Sequence, residues 1–327
     1  MHLRLAFPLL PLTAVAVLAG CASPGAGAAP TPPATTAAAA VAVDNCGTPV
    51  TFPAAPSRVL TIKSTSTEML LALGLGDRIV GTAFQDGPLP ENLAADGASL
   101  VSVADQVPTE EAVLGLEPDL VYAGWESNFS ADGAGERDEL QSLGIATYVS
   151  PAACKEPEYK PKKLTWDSIF GEIREVGDIF RVPEQAEKVV AAQQAELATV
   201  APDAEGRTAL WWSSGDDTPY VGAGTGAPQL ILDTLGLTNI AGDVQDTWTP
   251  LGWESIVAAD PDVIVLVDAS WNTADSKIAT LQTDPATKNL SAVKNSRYLL
   301  VPFPASEAGV RSADATVDLA AQLADLS

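Results

Sequence analysis

Histidine is all but missing from this 327-residue chain, with His2 its sole example. The absence removes the commonest general base and the commonest ligand for borderline metals together. Cysteine is nearly as scarce: Cys21, Cys46 and Cys154, with no CxxC pair, too few for an iron–sulfur cluster or a paired redox site. Basic residues are outnumbered 18 to 42, and the net charge of −24 repels nucleic acid and anionic lipid. No Gly-x-Ser-x-Gly elbow occurs. The glycine-rich Gly222-Ala223-Gly224-Thr225-Gly226 lacks the Lys-Ser or Lys-Thr ending of a phosphate loop and the spacing of a dinucleotide site. It reads as a tight turn, or as a turn that lets a ligand approach backbone N–H groups. After the first twenty residues no apolar run is long enough to cross a bilayer. Any catalysis would rest on carboxylates such as Glu126 with Asp243 or Asp246, so the residues point to binding and to no enzyme, with neither cofactor nor metal expected.

Met1 to Gly20 holds Arg4, an apolar stretch interrupted by Pro8 and Pro11, and Val17-Leu18-Ala19-Gly20 directly ahead of Cys21. Such a segment is a secretory signal, and residues 1–20 are set apart from the fold. Leu-Ala-Gly before a cysteine resembles a bacterial lipobox, which implies an acylated Cys21 that tethers the protein to the outer face of the cytoplasmic membrane. Residues 21–43, almost entirely Ala, Pro, Gly, Ser and Thr beyond Cys21, read as a flexible stalk. Outside the cytoplasm the even pair Cys46 and Cys154 is expected to form a disulfide, joining the start of the first lobe to the loop after the strand Ile145–Val149.

What is present is an internal echo. TEEAVLGLEPDLVYAG at 109–124 and LGWESIVAADPDVIVLV at 251–267 each set a glutamate, Glu111 or Glu254, seven residues ahead of a proline, Pro118 or Pro261. TEMLLALGLGDRIVG from Thr67 is echoed by APQLILDTLGLTNIAG from Ala227. Two similar α/β lobes are expected, residues 44–165 and 201–327, with a ligand between them. Trp166, Ile169, Ile173, Val176 and Phe180 recur at helical spacing, and a second start at Pro183 carries the pattern to Val200. Residues 166–200 are therefore expected as a backbone helix crossing between lobes. Buried strands are read at Arg58–Ile62, Leu120–Ala123 and Val263–Val267, each bounded by turn or proline signals. Thr109 is placed as a helix cap with acidic residues in the first turn behind it.

Residues 58–327 resemble the substrate-binding proteins of ABC importers that include iron-siderophore, haem and cobalamin binders, the helical-backbone (class III) type. The likeness rests on Ser64-Thr65-Ser66-Thr67-Glu68, on Leu116-Glu117-Pro118-Asp119-Leu120, and on its twin Ala259-Asp260-Pro261-Asp262-Val263. It implies two Rossmann-like lobes joined by a long helix, a monomer, and a membrane permease dimer with a cytoplasmic ATPase as partners. It also implies that Glu111 and Glu254 meet arginines of the permease, a role suited to two carboxylates held apart on a rigid body.

Trp125, Glu126, Ser127 and Asn128 from the first lobe and Trp248, Trp271, Ser306 and Arg311 from the second are expected around the cleft, the loop that carries Trp125 and the loop that carries Trp271 lying beyond strand ends; the resemblance puts Ser64 and Thr65 on the ligand-facing loop. Tryptophan faces would stack on a ring or a chelate's hydrocarbon surface, while Asn, Ser and Arg orient its polar edge. Arg311 and Lys63 would meet an anionic ligand. Trp166, Trp211 and Trp253 are assigned to packing. Residues 124–155 look like those of an actinobacterial clade proposed to bind the deazaflavin coenzyme precursor. A ferric siderophore is the rival ligand, and a corrinoid or haem the next; a surface lipoprotein without transport function is the remaining reading.

Overall fold

The computed structural model describes residues 39–326. The expected signal segment, the acylated Cys21 and the stalk up to residue 38 lie outside the described residues. The last residues of the expected stalk do not belong to it. Val41–Asn45 (β1) pairs antiparallel with Thr48–Phe52 (β2) in a hairpin whose alternate side chains Val50 and Phe52 are buried. The β-branched Val41 and Val43 make a half-buried strand out of a segment that composition alone assigns to a linker.

The first sheet has five parallel strands in the order Ser102–Ala104 (β5), Ile79–Ala83 (β4), Val59–Ile62 (β3), Leu120–Ala123 (β6) and Ala146–Val149 (β7). Strands β3 and β6 are buried along their whole length, as their unbroken apolar runs require when helices cover both faces. The chain winds outward from β3 through β4 to β5, then returns to β3's other side with β6. That reversal is a topological switch point, the place where open α/β sheets hold ligands.

The second sheet is mixed. Thr208–Ser214 (β8) and Val263–Asp268 (β12) pair in parallel at its centre, with Tyr298–Pro302 (β13) beyond β12 and Thr238–Asn239 (β10) against β8. Tyr220–Gly222 (β9) and Trp248–Pro250 (β11) extend it antiparallel.

The sequence echo is a structural one. The helix Glu110–Gly115 feeds β6 and the helix Trp253–Ala259 feeds β12. At each junction the residue before proline, Glu117 or Asp260, takes positive φ, 48° and 42°. The following aspartate then braces the neighbouring strand: Asp119 accepts from the Ser57 N–H at 2.8 Å and Asp262 from the Thr208 N–H at 2.9 Å.

Residues 166–200 are two helices rather than one, Trp166–Ile179 and Pro183–Leu197. Arg181 at φ 61° turns the chain, and Pro183 starts the second helix at the position where its missing N–H costs nothing. Gly177 lies so close to Ala186 that any side chain there would collide. The apolar faces of both helices, with Ile169, Ile173, Val176, Ala186 and Val190, share one core with Met69 and Leu70 of the first lobe and with Leu230 and Val310 of the second. Cys46 and Cys154 are bridged across 108 residues of sequence, stapling the hairpin to the loop after β7.

Candidate functional site

A cavity of about 380 Å³ opens between the lobes, with Leu164 and Ala227 of this shared core on its lining. The first-lobe switch point supplies one wall: Thr65 follows β3, while Gly124, Trp125, Glu126 and Ser127 follow β6. Ser150 and Lys155 come from the loop after β7. Gly124 is required by close approach, because a Cβ there would strike the Thr65 side chain and lie 2.8 Å from Lys63 Cβ. The opposite wall is formed by Ser213 and Ser214 at the end of β8, Tyr220 on β9, Thr225, Thr247, Trp248 on β11, and Phe303, Ser306 and Glu307 after β13. Tyr220 and Trp248 lie nearly parallel, 17° between planes and 6.1 Å between centroids. They offer an aromatic ledge on which a flat apolar surface can rest.

Of the ten residues expected around a ligand, Thr65, Trp125, Glu126, Ser127, Trp248 and Ser306 line this cavity. The other four are used otherwise. The Ser64 hydroxyl accepts from the Asp86 N–H at 2.9 Å. Asn128 is buried and accepts from the Trp125 N–H at 3.2 Å, fixing the loop that carries Trp125. Trp271 is 59% exposed and leans edge-on against Phe303 at 5.0 Å, outside the lining. Arg311 donates through Nε to Glu68 at 2.7 Å and to the Pro88 carbonyl at 2.6 Å, so it joins the second lobe to the first and presents no free fork to a ligand.

Lys63 meets the same fate. Its ammonium is buried, paired with Asp86, and covered by the Trp125 ring, whose centroid lies 3.6 Å away. Its backbone sits at φ 81°, ψ 151°, a region almost reserved for glycine, at a cost of about 1–3 kcal/mol. Burial pushes the Lys63 ammonium below its usual range and the Asp86 carboxyl above its own, each opposed by attraction to the other. Glu68 is raised to about 7, mainly by burial and against the pull of Arg311.

Glu307 was not singled out in the sequence. Its carboxylate accepts the Trp125 indole N–H at 2.8 Å, from the opposite lobe. Burial raises its pKa, while Lys63 and the Trp125 hydrogen bond oppose the shift. Thr225 is 4% exposed and its hydroxyl has no partner, an unmet donor and acceptor on the wall of the cavity. Behind Ser150, the buried Glu172 accepts from Ser150 at 2.6 Å and from Tyr122 at 2.8 Å, and burial raises it to about 7. Glu307 and Ser150 are marked only by their places after strand ends, Thr225 by the glycine-rich segment that holds it, and Glu172, inside the helix Trp166–Ile179, by no sequence signal; the partners of Glu307 and Glu172 come from distant parts of the chain.

The cleft therefore offers many hydroxyls, two carboxylates in Glu126 and Glu307, one exposed lysine in Lys155, and no arginine. A cationic solute meets a favourable potential there and a multiply anionic one does not, while a neutral solute with amide groups finds hydroxyls and carboxylates to bond with. Glu111 and Glu254 are exposed in the first turns of their helices.

Residues 59–305 match the family model described as periplasmic binding protein. An ABC transporter substrate-binding lipoprotein of Bacillus subtilis, YvrC, is 26% identical over 94% of this chain and 93% of its own length. A cobalamin-binding protein of Halobacterium salinarum is 29% identical over 90% of this chain and 80% of its own. Among solved structures, a periplasmic binding protein from Veillonella parvula superposes with a TM-score of 0.76 at 25% identity, covering 87% of this chain and 97% of that one.

Proposed function

The chain belongs to the periplasmic binding protein family, and from that membership we propose that it captures a corrinoid, an amide-fringed macrocycle without net charge in its cyanocobalamin form, for delivery to an ABC importer. Its class III fold and its extracytoplasmic, lipoprotein character are those of substrate-binding components, which bind and hand over without making bonds. Such a component works with a membrane permease and an ATPase. The single observation that carries the ligand reading is the sequestration of charge: Arg311 is spent on Glu68 and Lys63 on Asp86. The anionic ligands that these two cations were expected to attract, a deazaflavin phosphodiester among them, lose their counter-charges. Cyanocobalamin has a phosphodiester as well, but its charge is balanced within the molecule by the cobalt centre, so the solute as a whole asks for no counter-charge, and the Halobacterium relative's name agrees.

Haem is the second reading. Against it stand its two carboxylates and the choice of axial donors: of the side chains that ordinarily hold haem iron, the cavity lining offers Tyr220 alone. The ledge of Tyr220 and Trp248 would carry the ring face, and the hydroxyls, Thr225 among them, its amides. A ligand of this size overfills about 380 Å³, so its outer edge lies along the rim toward Trp271. Glu111 and Glu254 are the acids we assign to permease docking.

Calorimetric titration with cyanocobalamin and with haemin tests the reading. Saturable one-to-one binding of cyanocobalamin, tighter than that of haemin, is expected; the reverse order would end it.

A further inference from the structure

We propose that Glu307 sets the charge selectivity of the cleft and that Trp125 competes with the ligand for it. In this account a hydrogen-bond donor of the solute, a primary amide or an ammonium group, takes the Glu307 carboxylate by displacing the Trp125 indole N–H. The inference rests on the corrinoid reading for its preferred ligand but not for its mechanism.

Three observations carry it. The bond from Trp125 Nε1 to Glu307 crosses the cleft between residues 182 apart in sequence, at 2.8 Å, and both side chains line the cavity. Trp125 is the sole hydrogen-bond partner of the Glu307 carboxylate among the described residues. The local charges do not cancel: Lys63 is matched by Asp86 in direct contact, which leaves the Glu307 carboxylate in excess.

The rest of the neighbourhood shows why the competition is finely set. Lys63 is locked in a backbone conformation that only surrounding structure can impose. Its ammonium lies under the Trp125 ring at 3.6 Å, with Phe84 at 4.3 Å and Phe303 at 5.2 Å. The cation holds the indole by its face, and Glu307 holds it by its N–H. A ligand that supplies a better donor to Glu307 leaves the cation–π contact in place and needs only a tilt of the ring. A carboxylate or catecholate oxygen has no donor to offer and is repelled by the unmatched charge.

The test uses the mature protein, its Trp125→Phe, Glu307→Gln and Glu307→Lys variants, and three probes measured by calorimetry: cyanocobalamin, which is neutral and amide-bearing; ferrioxamine B, which carries an ammonium group; and haemin, which carries carboxylates. Trp125→Phe keeps a ring over Lys63 and deletes the competing N–H, so cyanocobalamin should bind roughly tenfold more tightly, the scale of one charge-assisted hydrogen bond. Glu307→Gln should bind it about tenfold more weakly, and Glu307→Lys should reverse the preference between ferrioxamine B and haemin. The near-isosteric glutamine variant covers the case in which the lysine variant fails to fold. If cyanocobalamin binds but Trp125→Phe and Glu307→Gln leave its affinity unchanged, Glu307 is a structural acceptor, and the inference fails while the corrinoid reading stands. If cyanocobalamin does not bind but ferrioxamine B does, and Glu307→Lys abolishes it, the corrinoid reading fails and the inference stands. Binding of haemin alone, or of no probe, overturns both.

Discussion

Replacing Arg311 by alanine separates a ligand-binding arginine from a structural one. In the structure the guanidinium is nearly buried, as is its partner: their side chains are 9% and 1% exposed. Removing one member of a buried pair leaves the other charged and unsolvated, at about 3–5 kcal/mol. One oxygen of Glu68 already lacks a partner, so no second donor stands ready to take over. The loss is moderated by protonation. Glu68 titrates at about 7 with the arginine in place, and without it the value moves higher still. A carboxyl whose folded pKa exceeds its unfolded value stabilises when protonated, and that contribution is lost as pH rises through the folded value. Arg311→Ala should therefore cost less at pH 6 than at pH 8, where the melting temperature should fall by about 10 °C. The double variant Arg311→Ala/Glu68→Leu should recover most of the loss, because an apolar replacement of a buried pair is often neutral. Urea unfolding at both pH values, followed by tryptophan fluorescence, measures each quantity. Where the variant is folded, cyanocobalamin affinity should stay close to wild type. Full stability with abolished binding would show that Arg311 faces the ligand and would refute the reasoning.

Three further outcomes are expected. Glu172, raised to about 7 by burial, should make the wild type lose stability between about pH 4.5 and 7; Glu172→Gln should flatten that slope and gain up to about 3 kcal/mol at pH 8 in urea titrations. Replacing Cys46 and Cys154 together by serine should cost about 2–5 kcal/mol, read as a lower calorimetric melting temperature, since the bridge joins residues 108 apart in sequence. Charge reversal in the double variant Glu111→Lys/Glu254→Lys should leave ligand affinity intact and reduce uptake in cells; a loss of affinity would contradict the docking assignment.

Much of the fold was legible because its strands announce themselves. Leu120–Ala123 is strand from end to end, and Val263–Val267 falls within β12, each fixed by a proline behind and a polar loop ahead. Thr109 caps its helix by accepting from the Ala112 N–H at 3.3 Å. The disulfide followed from compartment and parity. The repeat foretold two lobes, and their mirrored junctions at Glu117 and Asp260 repay the comparison of the two segments.

The site was legible only where it follows strand ends, as Trp125 and Glu126 do. The status of a charged residue is another matter, since it depends on partners that no local pattern reveals. Arg311 looked available because Glu68 lies 243 residues away; Lys63 looked available because Asp86 sits in a loop with no periodicity. Trp271 occupies the same topological place as Trp125, yet it leans outward on Phe303, because the turn after β12 is pinned elsewhere. Lys277 donates to the Val267 carbonyl at 2.5 Å and the Asn272 carbonyl at 2.8 Å. Residues 166–200 read as one helix because their apolar spacing continues through Arg181, whose positive φ no propensity scale foretells.

The central claim is that the cleft takes an uncharged, amide-bearing macrocycle in preference to an anionic one. Native mass spectrometry of the mature protein mixed with equimolar cyanocobalamin and haemin reads that choice directly. The account predicts a single adduct with the mass of the corrinoid. A porphyrin adduct in its place, or protein that leaves the mixture with neither, would contradict it.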